Sequence, residues 1–471
     1  MKSKLLFALA MLFTASACAQ TPTALTISVD APQYKEQKVF FASYFGGNTY
    51  VVDSAFVDKA GKAILKPQAK LDRGQYVLYI LPDAQCDLLL SGTETDVHID
   101  VDKSDVKNKI TGAPDTELLW KYLRGRKKGD EKIEKLNNEI VSSNNLSEKK
   151  RSELTSQLKK QTEELEAYAS SYVEKNDGTW FAAFLKGMEP IRVPLDAPQT
   201  PEEYTAYRQY MKEHYFDNVD LAEPAYWRTN YMSTLIDNYM GNWVEEIPDS
   251  LAVAASRLVE KTKADDYCFN RMLSRFVNEA QVSNLVGMEN VWARLFEDYI
   301  QDGNLDWITE SEYKELSRMY VQIKNCRIGQ VGQNLNMLLE DGSPLATDSI
   351  AADYLLLYFY DSDCGYCQTN TPILHDSIYT KYKDQGFEVV AFYLGDTKEA
   401  WNKFVGDHKL HDWINAYDPE FKSEYWLKYH LNGYPSMYLL NKNKTIIAKH
   451  LDVQSLEVVM EKLLKRKNGT D

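Results

Sequence analysis

The feature that most narrows the fold is a pair of cysteines, Cys364-Gly365-Tyr366-Cys367, standing directly behind the run Tyr354–Tyr360. That run is apolar almost throughout, which fits a strand buried on both faces of a sheet. A helical pattern follows from Gly365 to about Tyr382, then a strand from Phe387 to Leu394 and a helix from Thr397 to Val405. Glu420 to His430 reads as helix, Ser436 to Leu440 and Thr445 to Lys449 as strands, and Ser455 to Lys465 as a closing helix. Strands alternating with helices predict an α/β fold around a central sheet.

A Cys-x-x-Cys that opens a helix after a buried strand has a specific physical use. The helix N-terminus turns unpaired N–H groups and the positive dipole end toward the first sulfur. This favours thiolate over thiol, taking the pKa from about 8.5 toward or below neutrality. Cys364 is thus the expected nucleophile, and Cys367, one turn inward on the same face, is the expected resolving thiol of a redox-active disulfide. Gly365 gives backbone room at the turn, and Pro372 fits a kink in the helix. Other uses of the pair are half of a zinc site, a structural disulfide or a peroxidatic cysteine. Neither a second Cys-x-x-Cys nor a His-x-His accompanies it, so no metal site is expected. Peroxiredoxins carry Thr or Ser three residues before their cysteine and Pro four residues before that, where this chain has Asp361 and Leu357.

The remaining chain is longer than one core needs. At 471 residues and 44% hydrophobic content, two to four domains are expected. Residues 1–19 read as an export segment: Lys2 and Lys4 precede the apolar run Leu5–Phe13, followed by Ala15, Ser16 and Ala17. Two exits fit. Signal peptidase I would cut after Ala17-Cys18-Ala19. Alternatively Ala15-Ser16-Ala17-Cys18 is a lipobox-like sequence in which residues 1–17 are the lipoprotein signal and Cys18 is lipidated. Residues 20–112 read as a small all-β sandwich, with Leu25, Ile27 and Val29 alternating with polar residues, turns at Gly46-Gly47 and Lys59–Lys62, and Tyr76–Leu81 ended by Pro82. Residues 113–189 read as a solvated helical hairpin with a loop at Ser142–Asn145, and residues 190–327 as a Trp- and Tyr-rich helical domain. Trp227, Trp243, Trp292 and Trp307 read as core aromatics, with a ligand groove as the alternative.

Charge and cysteine count exclude further classes. With 69 acidic against 54 basic residues the net charge is −15, which repels a phosphate backbone, so no nucleic-acid partner is expected. Six cysteines are too few for a stapled scaffold. Cys86, Cys268 and Cys326 therefore read as buried apolar side chains, with a Cys268–Cys326 bridge as the alternative.

On these residues the C-terminal part, 328–467, resembles a known family. Tyr358 through Cys367 looks like the active-site strand and loop of TlpA/ResA-like exported thioredoxins. Asn432-Gly433-Tyr434-Pro435-Ser436 resembles their second signature, a cis-proline before a strand. The 68 residues from Cys367 to Pro435 leave room for the strand-and-helix insert of that family. Ile328-Gly329-Gln330 stands where the family begins its domain, with Gly332-Gln333 in place of the usual Ala-Pro. The resemblance implies a thioredoxin fold, with Pro435 beside the cysteines and the backbone of Tyr434 pairing with substrate. Two positions depart from the family, Tyr358 and the bulky Tyr434, which stands before Pro435 where Thr or Val is more usual. Tyr358 replaces the buried acid six residues before the first cysteine, so an acid relay is not carried over. Asp361 and Asp363 place negative charge beside Cys364. The preceding segments look like the β domain and helical middle domain that accompany such thioredoxins in exported Bacteroidetes proteins, on Tyr215-Phe216-Asp217-Asn218 and Arg228-Thr229.

The expectation is a multidomain exported thiol–disulfide oxidoreductase that keeps envelope-protein disulfides reduced. It would use no cofactor, draw electrons from an unidentified donor protein, and meet the membrane only through a lipid anchor on Cys18. An envelope binding protein with a secondary redox site, and a thiol peroxidase, are the alternatives.

Overall fold

A computed structural model describes residues 25–467, apart from residues 83, 103–106, 143–146, 195–197, 284, 286, 304, 306 and 432. The export segment, Cys18, Asn432 and residues 143–145 of the loop expected at 142–145 lie outside the described residues, and Ser142 is the last residue of the helix before it. The chain divides into two compact units, one ending at Arg275 and the other beginning at Phe276.

The first unit opens with strands β1 (Thr26–Asp30), β2 (Lys38–Phe45), β3 (Asn48–Phe56), β4 (Lys62–Leu65), β5 (Gly74–Ile80), β6 (Ala84–Leu90), β7 (Asp96–Asp100) and β8 (Lys109–Thr111). They form two four-stranded sheets, ordered β4-β1-β7-β8 and β3-β2-β5-β6. Alternation in β1 buries Ile27 and Val29, which meet Phe41, Leu78 and Leu88 of the facing sheet in one core. Gly46 and Gly47, both at positive φ, turn β2 into β3.

Helices α1 (Pro114–Ser142) and α2 (Glu148–Lys175) form the expected hairpin. Its arms close tightly because Gly125 has no side chain: a Cβ there would stand 1.8 Å from the Tyr168 hydroxyl. The hairpin is fastened to the sandwich rather than hung from it. Thr116 Oγ1 donates to the Leu89 carbonyl at 2.7 Å and accepts from the Leu89 N–H at 2.9 Å. Further helices are α3 (Trp180–Met188), α4 (Pro201–His214), α5 (Pro224–Trp227), α6 (Met232–Trp243) and α7 (Pro248–Glu260), with α8 (Asp266–Val282) crossing the unit boundary. Trp180 Nε1 donates to the Gly74 carbonyl at 3.3 Å, and the Gln75 N–H donates to the Arg228 carbonyl at 2.8 Å. Sandwich, hairpin and helices therefore share one compact body. Trp227 and Trp292 are buried, Trp243 and Trp307 partly so.

The second unit contains α9 (Met288–Tyr299), α10 (Glu310–Asn325) and a seven-stranded sheet. The strands are β9 (Asn336–Leu339), β10 (Pro344–Ala346), β11 (Tyr354–Tyr360), β12 (Phe387–Tyr393), β13 (Ile414–Tyr417), β14 (Ser436–Asn441) and β15 (Ile446–Lys449), in the order β10-β9-β13-β12-β11-β14-β15. β11 pairs parallel with β12 and antiparallel with β14. Its side chains enter two cores, Leu356, Tyr358 and Tyr360 on one face, Leu355, Leu357 and Phe359 on the other. The near-continuous apolar run is the signature of that double burial.

Helix α11 (Gly365–Ile373) contains Pro372, after which Leu374–Tyr379 widens to a π turn before α12 (Thr380–Tyr382). The missing proline N–H interrupts the hydrogen-bond ladder there. Helix α13 (Lys398–Asp407) starts at a Thr397 cap, and α15 (Val453–Lys467) closes the chain. Between them, the helix expected over 420–430 shrinks to α14 (Tyr425–Lys428). The Asp418 carboxylate takes the N–H groups of Lys422 at 3.0 Å and Ser423 at 2.7 Å, and Phe421 and Glu424 sit at φ +54° and +51°. That loop geometry excludes a continuous right-handed helix.

One buried pair ties the helical part of this unit to its sheet. Lys449, on β15 and wholly buried, lies 2.9 Å from the Glu289 carboxylate in the first turn of α9. Its Nζ also donates to the carbonyl of Cys326, just after α10, at 2.8 Å. The compact unit accordingly begins at Phe276 and takes in helices that the sequence reading grouped with the middle region.

Candidate active site

The site is assembled at the carboxyl end of β11. After Tyr360 the chain leaves the sheet through Asp361-Ser362-Asp363, whose turn is held by the Asp363 N–H donating to Asp361 Oδ1 at 2.9 Å. Cys364 then occupies the N-cap of α11, and its sulfur accepts from the Cys367 N–H at 3.3 Å. This is the place where a helix has donors to spare. Cys364 is partly exposed, whereas Cys367 is wholly buried.

The second signature arrives from 70 residues away. Tyr434–Pro435 is a cis peptide bond, and the Cys364 thiol donates to the Tyr434 carbonyl at 3.2 Å. The Tyr434 carbonyl thus stands beside Cys364, with Pro435 next in the chain. Leu81–Pro82 is a second cis bond, in the sandwich, which that reading did not anticipate.

Below the sulfurs, Tyr358 is buried and its hydroxyl meets Thr371 Oγ1 at 2.7 Å. The hydroxyl satisfies itself on a neutral partner. Burial, then the hydrogen bond to Cys364, pushes the Cys367 thiol well above the ordinary thiol range. Burial likewise holds Tyr358 protonated. The arrangement offers one accessible sulfur at a helix N-terminus and one protected sulfur a turn below it. Thiol–disulfide exchange requires that asymmetry, because only one of the two must meet an incoming disulfide.

Cys268 and Cys326 are buried free thiols and Cys86 lies in the sandwich core. Among the described residues, the His, Cys, Asp and Glu side chains grouped closely enough to share an ion are Asp30, His98 and Asp100, in the sandwich and without either cysteine of the pair. No described helix is long and apolar enough to cross a membrane.

Sequence reasoning missed the wall beside the site. Tyr393, at the end of β12, places its hydroxyl 3.1 Å from Ser362 Oγ, two residues before Cys364. Tyr417, at the end of β13, packs on Tyr393 with ring centroids 5.6 Å apart.

Residues 352–446 match a family model described as thioredoxin-like. The C-terminal domain is thioredoxin-like. Among solved structures, a domain of a possible thiol-disulfide isomerase from Cytophaga hutchinsonii is 31% identical and spans 30% of this chain and 97% of its own, with a TM-score of 0.29. A thioredoxin-like protein from Bacteroides caccae is 23% identical over 57% of this chain and 99% of its own, with a TM-score of 0.45. A thiol:disulfide interchange protein from a Bacteroides species is 24% identical over 29% of this chain and 90% of its own, with a TM-score of 0.28. No curated protein matches the chain. In this thioredoxin-like domain the cysteine pair and the residue before the cis-proline come together at the carboxyl end of β11, an interior strand of the sheet.

Proposed function

We propose that this protein is an exported thiol–disulfide oxidoreductase that reduces disulfides of envelope proteins. The observation that carries the reading is the placement of Cys364: partly exposed, at a helix N-cap, 3.2 Å from the carbonyl before a cis-proline, with Cys367 buried behind it. Cys364 thiolate attacks one sulfur of a substrate disulfide, forming a mixed disulfide and releasing the other sulfur as a thiolate. Cys367 then loses its proton and attacks the Cys364 sulfur, which frees the second substrate thiol and leaves a Cys364–Cys367 disulfide. Two electrons pass to the substrate, and a donor dithiol protein restores the pair. The high proton affinity of Cys367 keeps it a thiol until the mixed disulfide forms beside it. The Tyr434 backbone and Pro435 hold the substrate chain alongside Cys364. The export segment at residues 1–19 supports a periplasmic or envelope location, soluble or anchored through Cys18.

Insulin reduction by the full chain tests this. The parent accelerates reduction, Cys364→Ser falls to the uncatalysed rate, and Cys367→Ser accumulates mixed disulfides that identify substrates when trapped in envelope extracts. Equal activity of Cys364→Ser and parent would sink the proposal.

A further inference from the structure

The loops at the carboxyl ends of β12 and β13 enclose a small cavity beside the Cys364 loop. Its volume is about 120 Å³, and its walls include Tyr393, Tyr417, Phe421, Tyr425, Asp396 and Asp418. It adjoins the cysteine loop because Tyr393, which lines it, is 3.1 Å from Ser362. Four aromatic rings and two carboxylates line the space, and no lysine, arginine or histidine does.

We propose that this cavity seats a cationic side chain of the protein substrate, so that the domain prefers disulfides whose cysteine is flanked by arginine or lysine. The inference rests on the exchange reading above and names the substrate class for the same site. Aromatic faces attract a cation through their quadrupoles, and a flat guanidinium also stacks on them. The carboxylates add a charge of the same preference. Asp418 is not a flexible acid that could turn away: its two oxygens are fixed by the N–H groups of Lys422 and Ser423. Asp396 is exposed at the rim, and Asp361 and Asp363 extend the negative charge to the cysteine loop itself. The nearest basic side chain on the loop, Lys422, is paired with Glu420. An acidic substrate segment meets this wall at a loss, and a purely apolar one gains nothing from the carboxylates.

The test uses the full-length reduced protein and two disulfide peptides identical except for arginine or glutamate next to the cysteine. Hydroxyethyl disulfide, which has no side chain to seat, reports on exchange chemistry alone. The parent should react about 10-fold faster with the arginine peptide at low ionic strength, and the ratio should shrink in 0.5 M salt, on the order of what Debye screening allows. Asp396→Asn and Phe421→Ala should each cut the ratio to about 3-fold or less, the second without altering net charge. Equal rates with the two peptides, or a ratio untouched by both substitutions, overturns the cationic seat. Failure of hydroxyethyl disulfide to react in a Cys364-dependent way instead overturns the exchange reading beneath it.

Discussion

Replacing Glu289 by Gln should loosen the second unit far more than a surface substitution would. Glu289 and Lys449 are 14% and 0% exposed at the side chain, with 2.9 Å between nitrogen and oxygen. At that distance and an effective dielectric of about 20, the attraction is about 6 kcal/mol. The neutral amide removes it while leaving the ammonium buried, where it keeps a 2.8 Å hydrogen bond to the Cys326 carbonyl. Partial relaxation brings the expected loss to about 3–5 kcal/mol, the usual cost of orphaning a buried charge. Removing both charges, as in Glu289→Leu with Lys449→Met, should recover most of it, because no unpaired ion remains. Cys326 provides the readout. It is wholly buried in the same unit, its thiol donates to the Gln322 carbonyl at 2.9 Å, and it can be alkylated only when that region opens. With opening in rapid pre-equilibrium, a loss of about 3 kcal/mol raises its labelling rate on the order of 100-fold. Labelling of Glu289→Gln within about threefold of the parent, measured on the Cys326 peptide by mass spectrometry, would refute the assignment of the pair as the staple between α9 and β15.

The same assay reports two further expectations. His430 and His450 are pulled down to about 4, first by burial; at His430 the neighbouring His450 and then Lys449 add to it, and at His450 the Lys449 charge does. Their folded values lie below the usual 6.5, so the unfolded chain binds more protons between about pH 6.5 and 4, and stability present above that window is lost as pH falls through it. Each contributes at most about 3 kcal/mol, so Cys326 labelling, taken at each pH relative to the unfolded chain so that the falling thiolate fraction cancels, should climb steeply below about pH 6.5, and a flat ratio down to about pH 4.5 contradicts the burial of both rings. Thr309→Ala removes the capping box of α10, in which the Thr309 N–H donates to Glu312 at 2.8 Å and the Glu312 N–H donates to Thr309 Oγ1 at 3.3 Å. The loss of about 1 kcal/mol should speed Cys326 labelling roughly fivefold. An unchanged rate means that α10 stays closed when Cys326 becomes accessible.

What could be read from the sequence was whatever one element decides for itself. Tyr354–Tyr360 is a strand between two cores, and both cores demand apolar side chains, so its run of residues shows the burial directly. Cys364 at a helix start and Pro435 before β14 are likewise local patterns. β9, β10 and β13 are three or four residues long and exist because neighbours pair with them, so no periodicity announces them. The stretch 420–430 has helical composition, and one carboxylate from Asp418 overrides it. Lys449 reads as an ordinary polar strand residue, and only the arrival of Glu289, 160 positions earlier in the chain, makes its burial tolerable.

The acids around Cys364 are where local and assembled readings part. In sequence, Asp361 and Asp363 stand next to the nucleophile, Tyr358 replaces an acid beneath it, and the natural inference concerns the thiol alone. In the fold, the position beneath holds a neutral Tyr358–Thr371 pair, so negative charge is removed from under the sulfurs. Charge collects instead on the approach side, where Asp396 and Asp418 join the same flank from loops that follow β12 and β13. A group beneath the sulfurs can tune only the two cysteines, whereas one on the approach side also acts on whatever brings its disulfide to Cys364. Asp361 and Asp363 look like a penalty on thiol chemistry in one dimension; joined in three by Asp396 and Asp418, they become a filter on which disulfides reach it.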